Sequence, residues 1–261
     1  MLHKAILQTA RDIEYIIAYM ISKDVNMSKV AINIGANDGI TLDPLHLLYL
    51  RQDYDGLCIE ANVDMFNELK YNLPHKIKKV NTFVTPYNIL NILKEFNNIN
   101  IDIINIDIDS FDYCILEKIM TIEPKIIIIE LNENIPPGIT YYVKYMENYD
   151  YSPDGCYHLF GCSLDAVTEL GKKYSYSLLT MEWNDAILVH NDFANLFEFA
   201  KSNLDAYDFG YYYRKNRKKI FYWKGQESKC RDMDLDKALD YLKNFFSKDL
   251  DKIYLEYTKD K

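Results

Sequence analysis

Polar and apolar residues alternate along the segment Asn105–Asp109, in which isoleucines separate Asn105, Asp107 and Asp109. Alternate residues of an extended segment point to the same side, so these three polar side chains share one face. A solvent-facing strand would show the same pattern, but the isoleucine-rich run before the acids favours a buried strand with a polar carboxyl end. Doubly wound sheets bind ligands at that end. The pattern therefore indicates a polar cluster that orients a substrate, with Asp107 and Asp109 as candidate catalytic residues.

A glycine-rich turn follows the β-branched run Val30–Ile34, and its sequence from Asn33 to Gly39 is NIGANDG. Glycine lets the backbone turn sharply and approach a ligand without a clash at Cβ. Asn37 stands where the pattern G-x-G-x-x-G has its second glycine, so a dinucleotide pyrophosphate has less room than it needs. Glu60 ends the next apolar run, where an acid can accept hydrogen bonds from both ribose hydroxyls of an adenosine. The two signals together favour an adenosyl cofactor, and a plain strand–helix turn beside a surface glutamate is the alternative.

Short β-branched runs alternate with longer helical patterns along residues 28–190, which is typical of a parallel sheet covered by helices on both faces. The last two runs are joined by a short connection that suits a hairpin, so an antiparallel pair closes the sheet. The expected strands are Val30–Ile34, Leu57–Glu60, Lys78–Phe83, Ile101–Ile106, Lys125–Glu130, Tyr176–Thr180 and Ala186–His190. The sequence thus predicts an α/β domain with a doubly wound, mostly parallel seven-stranded sheet.

Three other segments flank or interrupt this domain. Residues 1–27 predict an amphipathic helix, whose charged residues interrupt any signal-peptide core or membrane span. Residues 132–162 contain many turn formers and predict a long loop that contacts the acceptor. Residues 191–261 predict a C-terminal α/β appendage, with helices at Asp192–Leu204 and from about Leu235 and an aromatic, basic β-hairpin between them. We expect this appendage to contact the acceptor or a second subunit.

Composition excludes several classes of protein. The chain has 261 residues, of which 49% are hydrophobic and 26% charged, as in a globular protein large enough to bury a core. Its net charge of −9 disfavours a protein that coats nucleic acid electrostatically. The five cysteines include no C-x-x-C pair, which argues against a disulfide framework or a thiolate zinc site and favours a cytoplasmic protein with reduced thiols. The 23 tyrosines suit sugar-binding clefts and oligomer interfaces.

The motifs resemble those of class I S-adenosylmethionine-dependent methyltransferases, and within them the FkbM-like branch of sugar O-methyltransferase type. The matching stretches are INIGANDGI, GLCIEAN, INIDIDSFDY, IIIIELN, and GCSLDAVTELGKKYSYSLL leading to NDAILV. They cover roughly residues 28–190. The resemblance implies a Rossmann-like methyltransferase fold that binds S-adenosylmethionine. One departure is Asn33, where methyltransferases of this class commonly carry an acid, so this strand end offers no carboxylate to the amino group of the cofactor.

The resemblance also assigns roles to residues of this sequence. Gly35, Ala36 and Gly39 would approach the methionine portion of the cofactor, Glu60 the ribose, and Asn81 and Thr82 the adenine. The full set of candidate cofactor-binding residues is Asn33, Gly35, Ala36, Asn37, Gly39, Glu60, Asn81, Thr82 and Asn105.

A third carboxylate, Glu130, ends the strand that the strand order of the family places beside the strand leading to Asp107. Three acids this close need a cation or shared protons, and oxygen ligands suit Mg²⁺ or Mn²⁺. Asp107, Asp109 and Glu130 are therefore candidate metal ligands that hold two hydroxyls of a sugar acceptor. In the metal-free alternative, one acid orients the substrate and another group takes its proton.

Five residues outside the strands are candidates for acceptor chemistry. His158 is a candidate general base or metal ligand, and an exposed loop histidine without a role is the alternative. Arg214 and Arg217 suit the phosphates of a nucleotide-linked acceptor, although the same aromatic and basic stretch also suits single-stranded nucleic acid or a solvated turn. The candidate substrate-binding residues are Asn132, Tyr157, Arg214 and Arg217.

The sequence therefore predicts a cytoplasmic methyltransferase with a small-molecule or nucleotide-linked sugar acceptor. We expect no membrane contact, do not expect nucleic acid as the substrate, and leave a homo-oligomer open. The alternatives are a non-catalytic binding module that keeps the cofactor fold, and a methyltransferase that acts on nucleic acid or another small molecule.

Overall fold

The strands that the sequence predicts form one sheet in the computed structural model, which describes residues 13–96, 98–149, 159–215, 217 and 230–258. Its seven strands have the order β3-β2-β1-β4-β5-β8-β7. These strands are β1 (Val30–Ile34), β2 (Asp55–Glu60), β3 (Lys78–Asn81), β4 (Ile103–Ile106), β5 (Ile126–Glu130), β7 (Tyr176–Glu182) and β8 (Asp185–His190). Two further strands, β6 (Ile139–Val143) and β9 (Ile253–Tyr257), form a separate antiparallel pair. The predicted Rossmann-like fold class is confirmed.

The pairings among the first five strands are parallel, with β1 between β2 and β4 and with β5 on the far side of β4. Every residue of β1 and β4 is buried, and so are the four isoleucines of β5. Apolar runs without alternation are expected for central parallel strands that helices cover on both faces. Only Trp183 and Asn184 separate β7 from β8, and a connection this short joins antiparallel strands.

The helices between the strands follow the predicted alternation. They are α1 (Ile13–Ser22), α2 (His46–Arg51), α3 (Val63–Asn72), α4 (Ile89–Ile92), α5 (Asp112–Ile119), α6 (Leu164–Lys173), α7 (Asn203–Tyr207) and α8 (Leu235–Phe245). Helix α1 lies within the predicted N-terminal helix 1–27. None of the helices in the described part of the chain is long and apolar enough to cross a membrane.

The chain divides into two compact units. The first contains the described residues of Met1–Ile108, Ile115–Ile129 and Val189–Glu198, and the second those of Asp109–Cys114, Glu130–Leu188 and Phe199–Lys261. Within the first unit, Lys125 Nζ lies 2.7 Å from Asp102 Oδ1, and this carboxylate also accepts the backbone N–H groups of Ser28 and Lys29. The ion pair is buried at the amino ends of the central strands, away from the glycine turn.

Two loop and helix predictions are wrong. The segment 132–162 is not a continuous loop, because it contains β6, which is largely buried and pairs with β9. The predicted helix Asp192–Leu204 is instead a 3₁₀ turn at Asn191–Leu196 followed by α7. The Ser202 side chain accepts the backbone N–H of Asp205, and such an N-cap starts a new helix.

The predicted basic hairpin is also wrong in its described part. Its first arm completes a π-helical turn, Asp208–Tyr212, and the other arm lies outside the described residues. Among the described residues, Cys58, Cys114, Cys162 and Cys230 form no disulfide bond.

Candidate functional site

The glycine turn after β1 lies against the backbone that follows β4. Gly35 has a φ of +85°, and a Cβ atom built on it would lie 1.6 Å from the carbonyl oxygen of Asp107. Gly39 has a φ of +75°, and Asn37 has a φ of +48°, which asparagine tolerates better than most residues. The predicted need for glycine at the turn therefore has two physical causes, the backbone conformation and a backbone crossing that leaves no room for a side chain.

The backbone donors of the turn are directed into the protein. The N–H groups of Gly35 and Ala36 both donate to the carbonyl oxygen of Ile59 at 2.9 Å. The N–H of Asn37 donates to Glu60 Oε2 at 2.8 Å, and that of Gly39 to the carbonyl oxygen of Ala36 at 2.9 Å. A phosphate site needs such donors to point at the ligand. In this turn, the backbone N–H groups instead donate to residues of β2 or to the turn itself.

Glu60 is placed by its own hydrogen bonds at the carboxyl end of β2. In addition to Asn37, it accepts the backbone N–H of Asn62 through Oε1 at 2.6 Å. The Asn81 side chain donates to the carbonyl oxygens of Glu60 and Ala61 at 2.8 and 3.0 Å, and the N–H of Thr82 donates to the former at 3.2 Å. Each carboxylate oxygen keeps a second lone pair, so Glu60 can still accept a ligand hydroxyl.

Asn33 and Asn105 lie side by side on β1 and β4. Asn105 Nδ2 donates to Asn33 Oδ1 at 2.9 Å, and both residues are buried. The carboxylate of Asp43 lies beside the Asn33 amide, and its Oδ1 accepts the backbone N–H of Leu45 at 2.7 Å. Burial raises the pKa of Asp43 to about 6, although hydrogen bonding, the Asn33 side chain and the charge of His46 lower it in part.

The extended alternation predicted across Asn105–Asp109 ends sooner than expected. Strand β4 ends at Ile106, and Asp109 has a φ of +54°, which is a left-handed rather than an extended conformation. The premise that Asp109 shares a strand face with Asn105 is therefore wrong. A non-glycine residue in this region is strained, and such residues cluster at ligand and active sites.

Even so, Asp109 and Glu130, both in the second unit, come close together. Their carboxylate oxygens lie within 4.8 Å of one another, and Asn184 Nδ2 donates to Glu130 Oε1 at 2.7 Å. Asp107 precedes Asp109 by two residues and directly follows β4, the parallel neighbour of β5. Asp107 thus directly follows β4, and Glu130 is the last residue of the adjacent strand β5, as predicted. Oxygen ligands suit Mg²⁺ or Mn²⁺, and Mg²⁺ binds them at about 2.0–2.1 Å, so two oxygens less than about 4.2 Å apart can share one ion.

The candidate acceptor residues have varied positions. The Asn132 side chain donates to the carbonyl oxygen of Phe160 and accepts from Asn134, so its described bonds hold the chain rather than a ligand. Arg214 lies over the Trp183 ring and 3.4 Å from Glu182, and Arg217 is buried against the rings of Tyr211 and Tyr212. Tyr157 and His158 lie outside the described residues.

The sequence did not indicate two acids whose pKa values the fold raises. Asp43 stands in a Leu-Asp-Pro sequence after the turn, and the only signal was an acid that could cap the N–H two residues later. Asp185 begins β8, and burial, together with the nearby Glu182 and Glu133, raises its pKa to about 7. Neither environment can be read from spacing, because the fold creates it.

No protein-family model and no curated protein matches the sequence. Among solved structures, the chain is similar to the amino pentose methyltransferase CalS10 of Micromonospora echinaspora, with 9% identity over 68% of this chain and 89% of that chain and a TM-score of 0.41. A TehB-like methyltransferase of Corynebacterium glutamicum shares 12% identity over 66% of this chain and 86% of that chain, with a TM-score of 0.36. A protein of the NADB-Rossmann superfamily from Streptococcus agalactiae shares 12% identity over 88% and 87%, with a TM-score of 0.42. These similarities are distant, so the function has to be argued from the site itself.

Proposed function

We propose that this protein is an S-adenosylmethionine-dependent O-methyltransferase that acts on a sugar hydroxyl, in a nucleotide-linked sugar or a surface polysaccharide unit. The proposal rests on one observation, which is that the backbone N–H groups of the glycine turn donate to acceptors within the protein. The N–H groups of Gly35, Ala36, Asn37 and Gly39 all have partners inside the protein. An adenosyl ligand without phosphate needs none of them.

Charge supports the same cofactor. The turn and its neighbours carry Asp38, Asp43, Glu60 and Asp107, and the side chain of Asp38 accepts the N–H groups of Ile40 and Thr41. This concentration of acids repels a pyrophosphate. It favours a ligand that carries positive charge at its sulfonium and ammonium groups.

The residues of the turn and of β2 would hold the cofactor in the following way. Gly35, Ala36 and Gly39 would approach the methionine portion, as the family resemblance implies, and Glu60 would accept the ribose hydroxyls through its remaining lone pairs. S-adenosylmethionine, when bound, supplies an electrophilic methyl group. The chain provides proximity, since an acceptor oxygen held about 3 Å from the methyl carbon and in line with the bond that breaks gains most of its rate from position.

The acids after β4 and β5 would handle the acceptor. Asp109 and Glu130 can each accept a hydrogen bond from one of two neighbouring hydroxyls, and one carboxylate takes the proton as the oxygen–methyl bond forms. A divalent ion held by Asp109 and Glu130 would orient the same two hydroxyls and lower the pKa of the attacking one. The FkbM-like motifs support a sugar as the acceptor.

Calorimetry with S-adenosylhomocysteine and, separately, with NAD⁺ tests the cofactor. We expect heat of binding with the first ligand only, and binding of NAD⁺ alone would contradict the proposal. The acceptor is tested by incubating labelled S-adenosylmethionine with a panel of nucleotide sugars, with and without a chelator. Binding of S-adenosylhomocysteine without transfer to any acceptor, including polysaccharide fragments, would favour the non-catalytic binding module.

A further inference from the structure

We infer that Asp43 is a positioning residue for the ammonium group of the cofactor, because it orients the Asn33–Asn105 amide pair so that Asn105 presents its carbonyl oxygen to that group. The inference rests on the proposed function and deepens it. Asn33 offers no carboxylate at the end of β1. The carboxylate of Asp43 takes that role from a distance, through the amides of Asn33 and Asn105.

Two orientations are open to a pair of facing amides. Either Asn105 donates to Asn33, or Asn33 donates to Asn105, and the two arrangements leave opposite ends of Asn105 free for a ligand. The observed arrangement has Asn105 Nδ2 as the donor and Asn33 Oδ1 as the acceptor, at 2.9 Å. This is the one side-chain hydrogen bond that the described residues provide to Asn105, so its oxygen remains for a ligand.

The charge of Asp43 selects this arrangement. An ionised carboxylate can only accept hydrogen bonds, so the Asn33 amide turns its N–H end toward Asp43 and its oxygen toward Asn105. Oδ2 of Asp43 is enclosed and accepts no hydrogen bond of ordinary geometry from the described residues, although the Asn33 side chain lies near enough to lower the pKa. The interaction is therefore mainly electrostatic. A neutral group at position 43 would not distinguish the two orientations.

Among the groups that act on the pKa of Asp43, His46 is the one that can carry a positive charge. The His46 ring donates from Nδ1 to the carbonyl oxygen of Gly39 at 2.7 Å, because a carbonyl can only accept. The other titratable groups that face Asp43 are Tyr49 on α2 and Cys58 on β2, and burial raises the pKa of both far above neutrality. Asp43 therefore places a negative charge beside the Asn33 amide on β1.

The location of Asn105 identifies the ligand group. Asn105 lies on β4 two residues before Asp107, whose carbonyl oxygen crosses the glycine turn at Gly35. A carbonyl oxygen presented there binds a hydrogen-bond donor. The amino-acid portion of S-adenosylmethionine carries one strong donor, its ammonium group, and Asn105 receives it in place of the acid that Asn33 lacks.

The test compares two ligands that differ at one group. S-adenosylhomocysteine carries the ammonium group, and in its deamino analogue a hydrogen atom replaces it. We expect Asp43→Asn to weaken binding of S-adenosylhomocysteine about tenfold and to leave the analogue unchanged, since a hydrogen bond to a charged group is stronger than one between neutral groups. Asp55→Asn, at the exposed opposite end of β2, is the matched control and should change neither affinity.

An exchanged pair supplies the rescue. In the double variant Asn33→Asp with Asp43→Asn, the carboxylate at the strand end can accept the N–H of Asn105 directly, so the oxygen of Asn105 again faces the ligand. We expect this variant to recover the preference for S-adenosylhomocysteine over the analogue. A purely structural role for Asp43 would not be restored by moving its charge to position 33 on β1.

A measurement on the unchanged protein covers the case in which Asp43→Asn fails to fold. Protonation of Asp43 below about pH 6 should release the amide pair, so the ratio of the two affinities should fall between pH 7.5 and pH 5. A ratio that stays constant, or an Asp43→Asn variant that weakens both ligands equally, would overturn the inference. If the unchanged protein binds neither ligand, the proposed function itself fails, which is a different result.

Discussion

The Glu60 carboxylate accepts the backbone N–H of Asn37 at 2.8 Å and thereby ties the glycine turn after β1 to the end of β2. Asn37 has a φ of +48°, so the hydrogen bond also fixes a residue in an uncommon conformation. One acid therefore shapes the turn and remains able to accept hydroxyls of a ligand. Cofactor affinity and the conformation of the turn should depend on the same side chain.

Glu60→Gln should lower the affinity for S-adenosylhomocysteine at least tenfold. The amide has one acceptor where the carboxylate has two, so the N–H of Asn37 or that of Asn62 loses its partner, at about 1–3 kcal/mol. Calorimetry measures the affinity, and Glu68→Gln on the exposed face of α3 is the matched control. Equal affinities in the two variants would contradict the role of Glu60.

Gly35→Ala should abolish cofactor binding and destabilise the first unit by more than about 3 kcal/mol. A Cβ atom there would lie 1.6 Å from the Asp107 carbonyl oxygen, and backbone must move to admit it. Gly171→Ala on α6 is the control, since its Cβ would meet the Tyr176 carbonyl oxygen at 3.2 Å and its φ is not left-handed. Urea unfolding should separate the two variants, and a Gly35→Ala protein as stable as Gly171→Ala would show that the backbone crossing is not rigid.

Asp109→Asn and Glu130→Gln should each remove a stabilisation by Mn²⁺. Their oxygens lie within 4.8 Å of one another, so one ion can contact both, and an ion that binds only the folded state raises the melting temperature. Thermal melts with and without millimolar Mn²⁺ check this, with Asp251→Asn, an exposed acid, as the control. If Mn²⁺ leaves the melting temperature of the unchanged protein where it was, the metal-free site is favoured.

Sequence patterns predicted the parts of the fold that depend on local burial. The isoleucines of β5 lack polar alternation because both faces of that strand are covered, and its predicted bounds differ from the observed ones by one residue. Strand β6 was not predicted, because prolines and a glycine precede it and because its partner β9 is remote in sequence. The side chains of Thr140 and Thr258, which form a hydrogen bond, are 118 residues apart. The sequence could indicate Glu60 as a candidate site residue, because this acid ends a strand. It could not indicate Asp43, because only the folded chain brings this residue beside Asn33.

The ion pair between Asp102 and Lys125 should stabilise the first unit as a coupled pair. The side chain of Asp102 is fully buried and that of Lys125 is 10% exposed, so removing one charge leaves the other without its partner in a poorly solvated place. Asp102→Asn should therefore cost about 3–5 kcal/mol. Adding Lys125→Met should recover part of that loss, which urea unfolding of the single and double variants measures. Asp53→Asn, in an exposed pair with Lys76, should leave the urea unfolding curve nearly unchanged.

Asp185→Asn should stabilise the protein at pH 8, and the gain should shrink as the pH falls. The pKa of Asp185 is raised from 3.8 to about 7 by burial and by the charges of Glu182 and Glu133, so the folded state holds the proton more tightly than the unfolded state does. Ionised Asp185 therefore costs stability in full above pH 7, and this cost declines steadily between pH 7 and pH 4.

The expected gain at pH 8 is on the order of 4 kcal/mol, since the pKa rises from 3.8 to about 7 and each pKa unit corresponds to about 1.4 kcal/mol. The difference in unfolding free energy between the variant and the unchanged protein, measured in urea at pH 8, 6.5 and 5, isolates this one group. Asp240→Asn on the exposed face of α8 should show no such trend. A gain for Asp185→Asn that is the same at all three pH values would mean that the carboxylate ionises at its ordinary pKa, and that Glu182 and Glu133 do not act on it.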